Sequence, residues 1–240
     1  MKKYAFWDLE TAKVTPEGED IHAHRPLGIS CAAVKPSTRE KPIFHYNKDG
    51  GPMTVEQVRD HVALLQGLVL DGYQIVSWNG AAFDFSILAE ESGLLEEVAQ
   101  LCMWHIDLML IVVAVKGWPL KLDVLAQGLR VEGKKHVVTL TDGTRLDGMN
   151  GGKAPALWQS GEYAAVLEYL GEDVGTLERL TNRLLANRLT YCWKARSGRW
   201  NQFSVPKLYT VRDCLALPRP DTSWMTDPMV MEEMLAWTQQ

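Results

Sequence analysis

Residues 3–11 of this 240-residue chain are KYAFWDLET, and this stretch decides how the fold begins. Its first part, Lys3 to Leu9, is apolar and rich in aromatic residues, which predicts a buried β-strand that ends in a polar turn. Asp8 and Glu10 are two positions apart, so both carboxylates project from the same face. Because burying two unpaired carboxylates is costly, the pair needs a cation. A strand that simply runs out into a polar turn is the alternative interpretation.

The rest of the chain alternates strands and helices, which is typical of an α/β domain. Strands are predicted at 27–35, 42–46 and 74–78, and helices at 54–70, 81–90, 105–116, 122–129 and 162–189. Two hairpins are expected at 137–146 and 189–205, a surface loop at 148–153, and a terminal helix with Pro228 at its first position. We expect a main domain at 1–190 and a C-terminal extension at 191–240, a hairpin and a terminal helix, packed on it.

Composition limits the classes of protein that the chain can belong to. The longest apolar run, Leu108 to Val115, has eight residues, whereas a membrane span needs roughly 18 or more. The N-terminus reaches Asp8 too soon for a signal peptide, so we expect an intracellular, cytoplasmic protein without a membrane partner. The four cysteines are too far apart in sequence for a CxxC zinc pair or a dense disulfide framework.

The formal net charge of -5 argues against a polyanionic partner, but the charge is unevenly distributed. Between Arg179 and Arg212 there are eight basic residues and no acidic one. The same segment contains Tyr191, Trp193, Trp200, Phe203 and Tyr209. Cations interleaved with aromatics suit phosphate neutralisation and base stacking. A solvated helix face is the alternative.

Two further motifs contain candidate functional carboxylates. Asn79 to Asp84 (NGAAFD) follows an apolar strand and places Asp84 in the first turns of a helix. A helix N-terminus capped by Asn79 explains this motif equally well. Tyr169 and Asp173 are four residues apart, which puts the phenol and the carboxylate on one helix face. A core tyrosine is the alternative there, and Glu172 is a competing ligand candidate.

Together, the D-x-E, N-x-x-x-F-D and Y-x-x-x-D motifs resemble, in order and spacing, those of the DEDD superfamily of 3′→5′ exonucleases. Tyr169 places the resemblance in the DEDDy branch of the DnaQ-like, ribonuclease H-like superfamily, similar to the exonuclease domain of family B DNA polymerases. It covers roughly residues 1–190. The fold it implies is α/β, a ribonuclease H-like mixed five-stranded sheet flanked by helices, here with a small C-terminal β/α extension.

The resemblance also implies a cofactor and a role for each acidic residue. The cofactor is a pair of Mg²⁺ or Mn²⁺ ions, held by Asp8, Glu10, Asp84 and Asp173. Asp8 would bridge both ions, Glu10 and Asp173 would bind the ion that generates hydroxide, and Asp84 would hold the other. Tyr169 would orient the attacking water. All five are therefore predicted catalytic residues.

The implied activity is hydrolysis at a single-stranded 3′ end, with release of nucleoside 5′-monophosphates. DNA is favoured over RNA as the substrate, and a polymerase, helicase or other nucleic-acid-processing protein is an expected partner in trans. The residues predicted to contact the nucleic acid are Thr11, Asn79, Phe83, Lys134, Lys135, Arg196 and Arg199.

Competing interpretations make different predictions. A nucleic-acid-binding module of the same fold would bind without cleaving, and a structural Ca²⁺ site at Asp8 and Glu10 would do neither. Residues 128–134 fit the GxxxxGK part of a P-loop, but Lys135 replaces the required Ser or Thr and a helical pattern precedes the motif, so we reject nucleotide binding there. For His105-Ile106-Asp107 we favour a helix N-terminal cluster over a set of metal ligands.

Overall fold

The computed structural model describes residues 2–133, 136–195 and 197–239. At its centre lies a five-stranded sheet with the strand order β3-β2-β1-β4-β5. These strands are β1 (Lys3–Thr11), β2 (Ile29–Pro36), β3 (Ile43–Tyr46), β4 (Tyr73–Ser77) and β5 (Ile106–Asp107). β1 is antiparallel to β2 and parallel to β4, so the sheet is mixed. This confirms the expected α/β class and the mixed five-stranded sheet flanked by helices.

β1 is the central strand, and its two faces contact different layers. Trp7 is fully buried, and its indole N–H donates to His61 in helix α1 (Val55–Leu70). Because side chains alternate along a strand, Asp8 and Glu10 project to the opposite face. Helix α7 (Tyr163–Ala186) contacts β1 and β2. The two carboxylates of β1 therefore project toward the side of the sheet opposite α1.

The predicted end of β1 is two residues too early. Glu10 pairs with Cys31 and Thr11 pairs with Ile29, with a bulge between the two pairs, so the strand continues to Thr11. This pairing with β2 depends on residues far away in sequence, and a local polar pattern does not reveal it. Asp8 and Glu10 lie inside a strand instead of in a turn.

The remaining helices surround the sheet. They are α2 (Asp84–Ser92), α3 (Leu95–Trp104), α4 (Leu108–Lys116), α5 (Leu122–Leu129), α6 (Ala154–Gln159), α8 (Val211–Leu215) and α9 (Met231–Met234). Helix α3 was not predicted, and the helix expected from residue 105 is instead strand β5 followed by α4. No helix in the described ranges is both long enough and apolar enough to cross a membrane.

Both predicted hairpins are present. They are β6 (Val137–Thr139) with β7 (Arg145–Asp147), and β8 (Thr190–Lys194) with β9 (Trp200–Ser204). β8 contacts α5, and α8 contacts α3 and α4. The prediction that Pro228 begins the terminal helix is wrong, because helix α9 begins at Met231 and has only four residues.

Candidate active site

One cavity of about 550 Å³ brings the five predicted catalytic residues together. Its wall includes Asp8, Glu10, Asp84, Tyr169 and Asp173. They come from β1, the start of α2 and the middle of α7, so they are distant in sequence and converge only through the fold. All except Asp8 are buried residues.

Hydrogen bonds and strand pairing fix the surroundings of Asp8 and Glu10 on β1. The Leu9 N–H donates to Asp8 Oδ1 at 3.1 Å, and the Ser30 hydroxyl donates to the Glu10 carbonyl at 3.1 Å. Cys31 lies opposite Glu10 across the strand pair. Burial raises the pKa of the Cys31 thiol, and the negative charges of Glu10 and Asp8 raise it further. Both effects favour the neutral thiol, and Cys31 is fully buried in the sheet.

Asp84 is positioned by a tight turn between β4 and α2. Asn79 has a left-handed backbone with φ 63°, and a Cβ at Gly80 would collide with the Ser77 side chain. Helix α2 begins at Asp84 itself, and Phe83 is the N-cap without a capping side-chain bond. The alternative in which Asn79 caps this helix is therefore wrong. An acidic residue in the first helical turn is also favoured by the helix dipole.

Asp107 fastens this turn to the core. Its Oδ1 accepts from the Asn79 N–H at 2.9 Å and its Oδ2 from the Ala81 N–H at 3.0 Å. Oδ1 also accepts from the N–H groups of Met109 and Leu110 at 2.9 and 3.1 Å, so Asp107 is the N-cap of α4. Burial raises the pKa of Asp107, and the four N–H bonds oppose that rise. The carboxylate joins two turns on neighbouring strands.

His105 completes the same buried cluster. One ring nitrogen, Nδ1, lies 2.5 Å from the Cys102 carbonyl, and the other lies 3.0 Å from the Ser77 hydroxyl. Burial lowers the pKa of His105 to about 4, so the ring is neutral near pH 7. These contacts support a structural role for the cluster, as favoured above, and not a metal-ligand role.

Helix α7 contributes the last two residues. Tyr169 and Asp173 both line the cavity, as their spacing of four predicts. Their neighbour Glu172 lies outside the lining of the cavity and forms an ion pair with Arg179 at 3.5 Å. Of the two candidate ligands Glu172 and Asp173, Asp173 is the one that lines the cavity with the carboxylates of β1.

Several lining residues were not predicted. Gly151 belongs to the expected surface loop, yet a Cβ there would lie 3.5 Å from Glu10 Oε2. Met149 in the same loop is fully buried. Lys121 and Asp123, at the start of α5, also line the cavity. The Gly151-Gly152 pair was the available signal, because paired glycines also occur where a backbone must approach a site closely.

The predicted nucleic-acid contacts fall into three groups. Asn79 and Phe83 line the cavity, whereas Thr11 is buried at the end of β1 outside the lining. Arg199 is exposed beside the β8–β9 turn and does not line the cavity. The other three, Lys134, Lys135 and Arg196, lie outside the described residues.

The expectation that the aromatics of residues 191–209 stack bases is wrong for two of them. Tyr191 is 0% and Trp193 5% exposed, because alternation along β8 turns both side chains into the core. Tyr191 stacks on Phe203 with ring centroids 4.8 Å apart, and Trp193 meets Trp118 edge-on. Trp200, 57% exposed, is available to solvent.

The donor chemistry of the cavity suits hard divalent cations. Its four predicted ligands are all carboxylates, and oxygen donors are what Mg²⁺ and Mn²⁺ prefer. Within residues 2–133, 136–195 and 197–239, no three His, Cys, Asp or Glu side chains form a ready-made ion-holding group. The residues that line the cavity therefore fit the ions by their donor chemistry.

Comparisons with known proteins give a partial structural likeness. No protein-family model and no curated protein matches the chain. The chain is similar to the solved structure of an exonuclease I, with 15% sequence identity and a TM-score of 0.32. The similarity covers 78% of this chain and 44% of that one, so the chain spans less than half the length of that exonuclease.

Proposed function

We propose that this protein is a two-metal-ion 3′→5′ exonuclease that releases nucleoside 5′-monophosphates from a single-stranded 3′ end, with DNA favoured over RNA. One observation carries the proposal. Three motifs that are individually weak in the sequence supply four carboxylates and a tyrosine to a single cavity. Packing alone gives no reason to gather these acids around one space, because their charges repel one another.

The four acids and Tyr169 have different roles in this proposal. Asp8, Glu10, Asp84 and Asp173 would hold the two cations. When bound, such ions stabilise the entering and departing oxygens of an in-line displacement at phosphorus. The Tyr169 hydroxyl would hold the attacking water by a hydrogen bond. Asp107 and Gly80 have a positioning role, since they fix the turn that carries Asp84.

The cavity suits a terminal nucleotide. Its volume of about 550 Å³ lies within the range of roughly 300 to 1,000 Å³ found for small-ligand sites. Trp78 and Phe83 supply an apolar and aromatic wall for a base, and Asn79 supplies a polar side chain. Lys121 lines the same space and contributes a positive charge near the phosphates.

The proposal is tested with 5′-labelled single- and double-stranded DNA and RNA in Mg²⁺ or Mn²⁺. The wild type should produce a ladder that shortens from the 3′ end, and Asp8→Asn and Asp173→Asn should abolish it. Asp49→Asn is the matched control, because Asp49 is an exposed acid outside the cavity. Tyr169→Phe should slow the reaction and leave cation binding intact. Binding without a ladder in the wild type would favour the binding module and contradict the proposal.

A further inference from the structure

A second cleft, of about 350 Å³, lies apart from the carboxylate cavity. It is formed where the C-terminal ends of α5 and α7 meet the β8–β9 hairpin. No residue lines both spaces. The side chains that could bind a ligand there are Arg130, Arg183, Asn187, Thr190, Gln202 and Ser204.

The cleft is positively charged. Arg130 and Arg183 line it, and its described lining includes no acidic residue. Neither arginine forms an ion pair with a carboxylate of the described residues. By contrast, Arg179, one turn before Arg183 on α7, is paired with Glu172. Two neighbouring guanidinium groups without a carboxylate partner are suited to an anionic ligand.

Arg183 is held in place by the protein itself. Its Nε donates to the Leu129 carbonyl at 3.1 Å, which orients the guanidinium plane. Its two terminal NH₂ groups have no acceptor among the described residues. A planar fork held in this way matches two oxygens of a phosphate group.

The opposite wall supplies neutral hydrogen-bonding groups. The hydroxyls of Thr190 and Ser204 lie 2.8 Å apart on the paired strands of the hairpin. The Asn187 amide donates to the Thr190 carbonyl at 3.2 Å, which fixes the entry to β8. Arginines together with hydroxyl and amide groups are the residues that contact nucleic-acid backbones.

Helix α5 connects this cleft to the candidate active site. Its first residue, Leu122, lines the carboxylate cavity, and its last residue, Leu129, lines the cleft. Eight residues of helix span about 12 Å. At the roughly 3.4 Å rise of a stacked strand, that distance corresponds to about three to four nucleotides.

We propose that the cleft between α5, α7 and the β8–β9 hairpin binds phosphate groups of the strand whose 3′ end occupies the carboxylate cavity. The inference rests on the proposed function for the position of the 3′ end. Arg130 and Arg183 supply the charge, and the cleft holds the strand several nucleotides from its end. This gives Arg183, in the basic segment from Arg179 to Arg212, a role in binding the strand. Most aromatic residues of that segment pack in or against the core instead.

The test measures the affinity of the full chain for fluorescein-labelled single-stranded DNA by anisotropy, without divalent cations so that no cleavage occurs. The double variant Arg130→Gln/Arg183→Gln is compared with Arg39→Gln/Lys41→Gln, which removes the same charge from the exposed β2–β3 turn. For a strand of about 12 nucleotides, we expect the cleft variant to lose tenfold or more in affinity. The log–log salt slope should fall by about 1.4, at roughly 0.7 per phosphate contact.

Two further comparisons separate the cleft from a general charge effect. A dinucleotide is too short to reach the cleft, so its affinity should be the same for the cleft variant and for the wild type. Arg130→Lys/Arg183→Lys keeps the charge and should recover most of the salt slope. Arg183→Gln loses the hydrogen bond to the Leu129 carbonyl, so thermal unfolding of each variant checks that it still folds. The single variant Arg130→Gln keeps that bond, and it should show about half of the double variant's loss in salt slope.

Three results would overturn the proposal. The cleft and control variants could weaken the long strand equally, or the dinucleotide could lose as much affinity as the long strand. Alternatively, dAMP could bind the wild type as tightly as the long strand and depend equally on the arginines, which would make the cleft a site for one free phosphate group. A missing 3′ ladder would contradict the proposed function instead, and it would leave the arginine dependence of binding as a separate result.

Discussion

Asp107→Asn tests whether one buried carboxylate holds the turn that positions Asp84. Asp107 is 1% exposed and accepts four backbone N–H groups, three through Oδ1 and one, from Ala81, through Oδ2. In the Asn variant the amide oxygen keeps the three bonds of Oδ1. The amide NH₂ then faces the Ala81 N–H, so a buried donor meets a donor.

The magnitude follows from that single lost contact. A hydrogen bond to a charged acceptor contributes about 1.5–3 kcal/mol, and leaving a buried donor unsatisfied costs a similar amount. We therefore expect the free energy of unfolding to fall by about 2–4 kcal/mol. For a chain of this size, 1 kcal/mol corresponds to roughly 2–4 °C in Tm, so Tm should fall by about 4–16 °C.

Thermal unfolding and amide hydrogen exchange measure this effect. Exchange should accelerate most at Ala81, and the matched control is Asp142→Asn. Asp142 is an exposed acid that accepts from the Thr144 N–H at 2.8 Å, and its replacement should cost under about 1 kcal/mol. A change in Tm no larger than that of the control would refute the reasoning, because it would show that the carboxylate charge does not hold the turn.

Three other predictions follow from the site and its surroundings. Burial lowers the pKa of His61 to about 3, while the ring in the unfolded chain titrates near 6.5. The stabilisation from the neutral ring is therefore intact above pH 6.5 and is lost as pH falls toward 3. Between neutral pH and pH 5, the free energy of unfolding of the wild type should fall by about 2 kcal/mol more than that of His61→Gln, measured by urea unfolding. Equal losses would contradict this. Gly128→Ala should lower the urea midpoint sharply, because its Cβ would collide with the Cys192 carbonyl. The control Gly143→Ala lies at an open turn with φ 85°, so it tests backbone strain alone. A smaller drop in the midpoint for Gly128→Ala than for Gly143→Ala would contradict the collision. Mn²⁺ should raise Tm of the wild type by relieving carboxylate repulsion, and an equal rise in Asp8→Asn would mean that the ion binds elsewhere.

Elements with local signals were predictable from the sequence. Helix α1 begins where Thr54 and Gln57 form a capping box, and both hydrogen bonds of that box are present. Helix α5 has the predicted bounds, since its apolar positions repeat at helical spacing. The spacing of Tyr169 and Asp173 placed both side chains on the cavity for the same reason.

Features that depend on tertiary contacts were not predictable in this way. The extension of β1 to Thr11 requires Ile29 as a partner. The aromatics of β8 suit base stacking by composition, and only the packing of β8 against α5 shows that Tyr191 and Trp193 are in the core. The glycines and polar residues around Met149 predict a surface loop, yet Met149 is fully buried and Gly151 of the same loop lines the cavity.

The most direct test of the central claim is a time course with a 5′-labelled single-stranded DNA in Mn²⁺, comparing wild type with Asp173→Asn. The account predicts a ladder that shortens one nucleotide at a time from the 3′ end, with nucleoside 5′-monophosphate as the released product, and an intact strand in the variant. A strand that stays intact with the wild type, or a ladder unchanged in the variant, would contradict it.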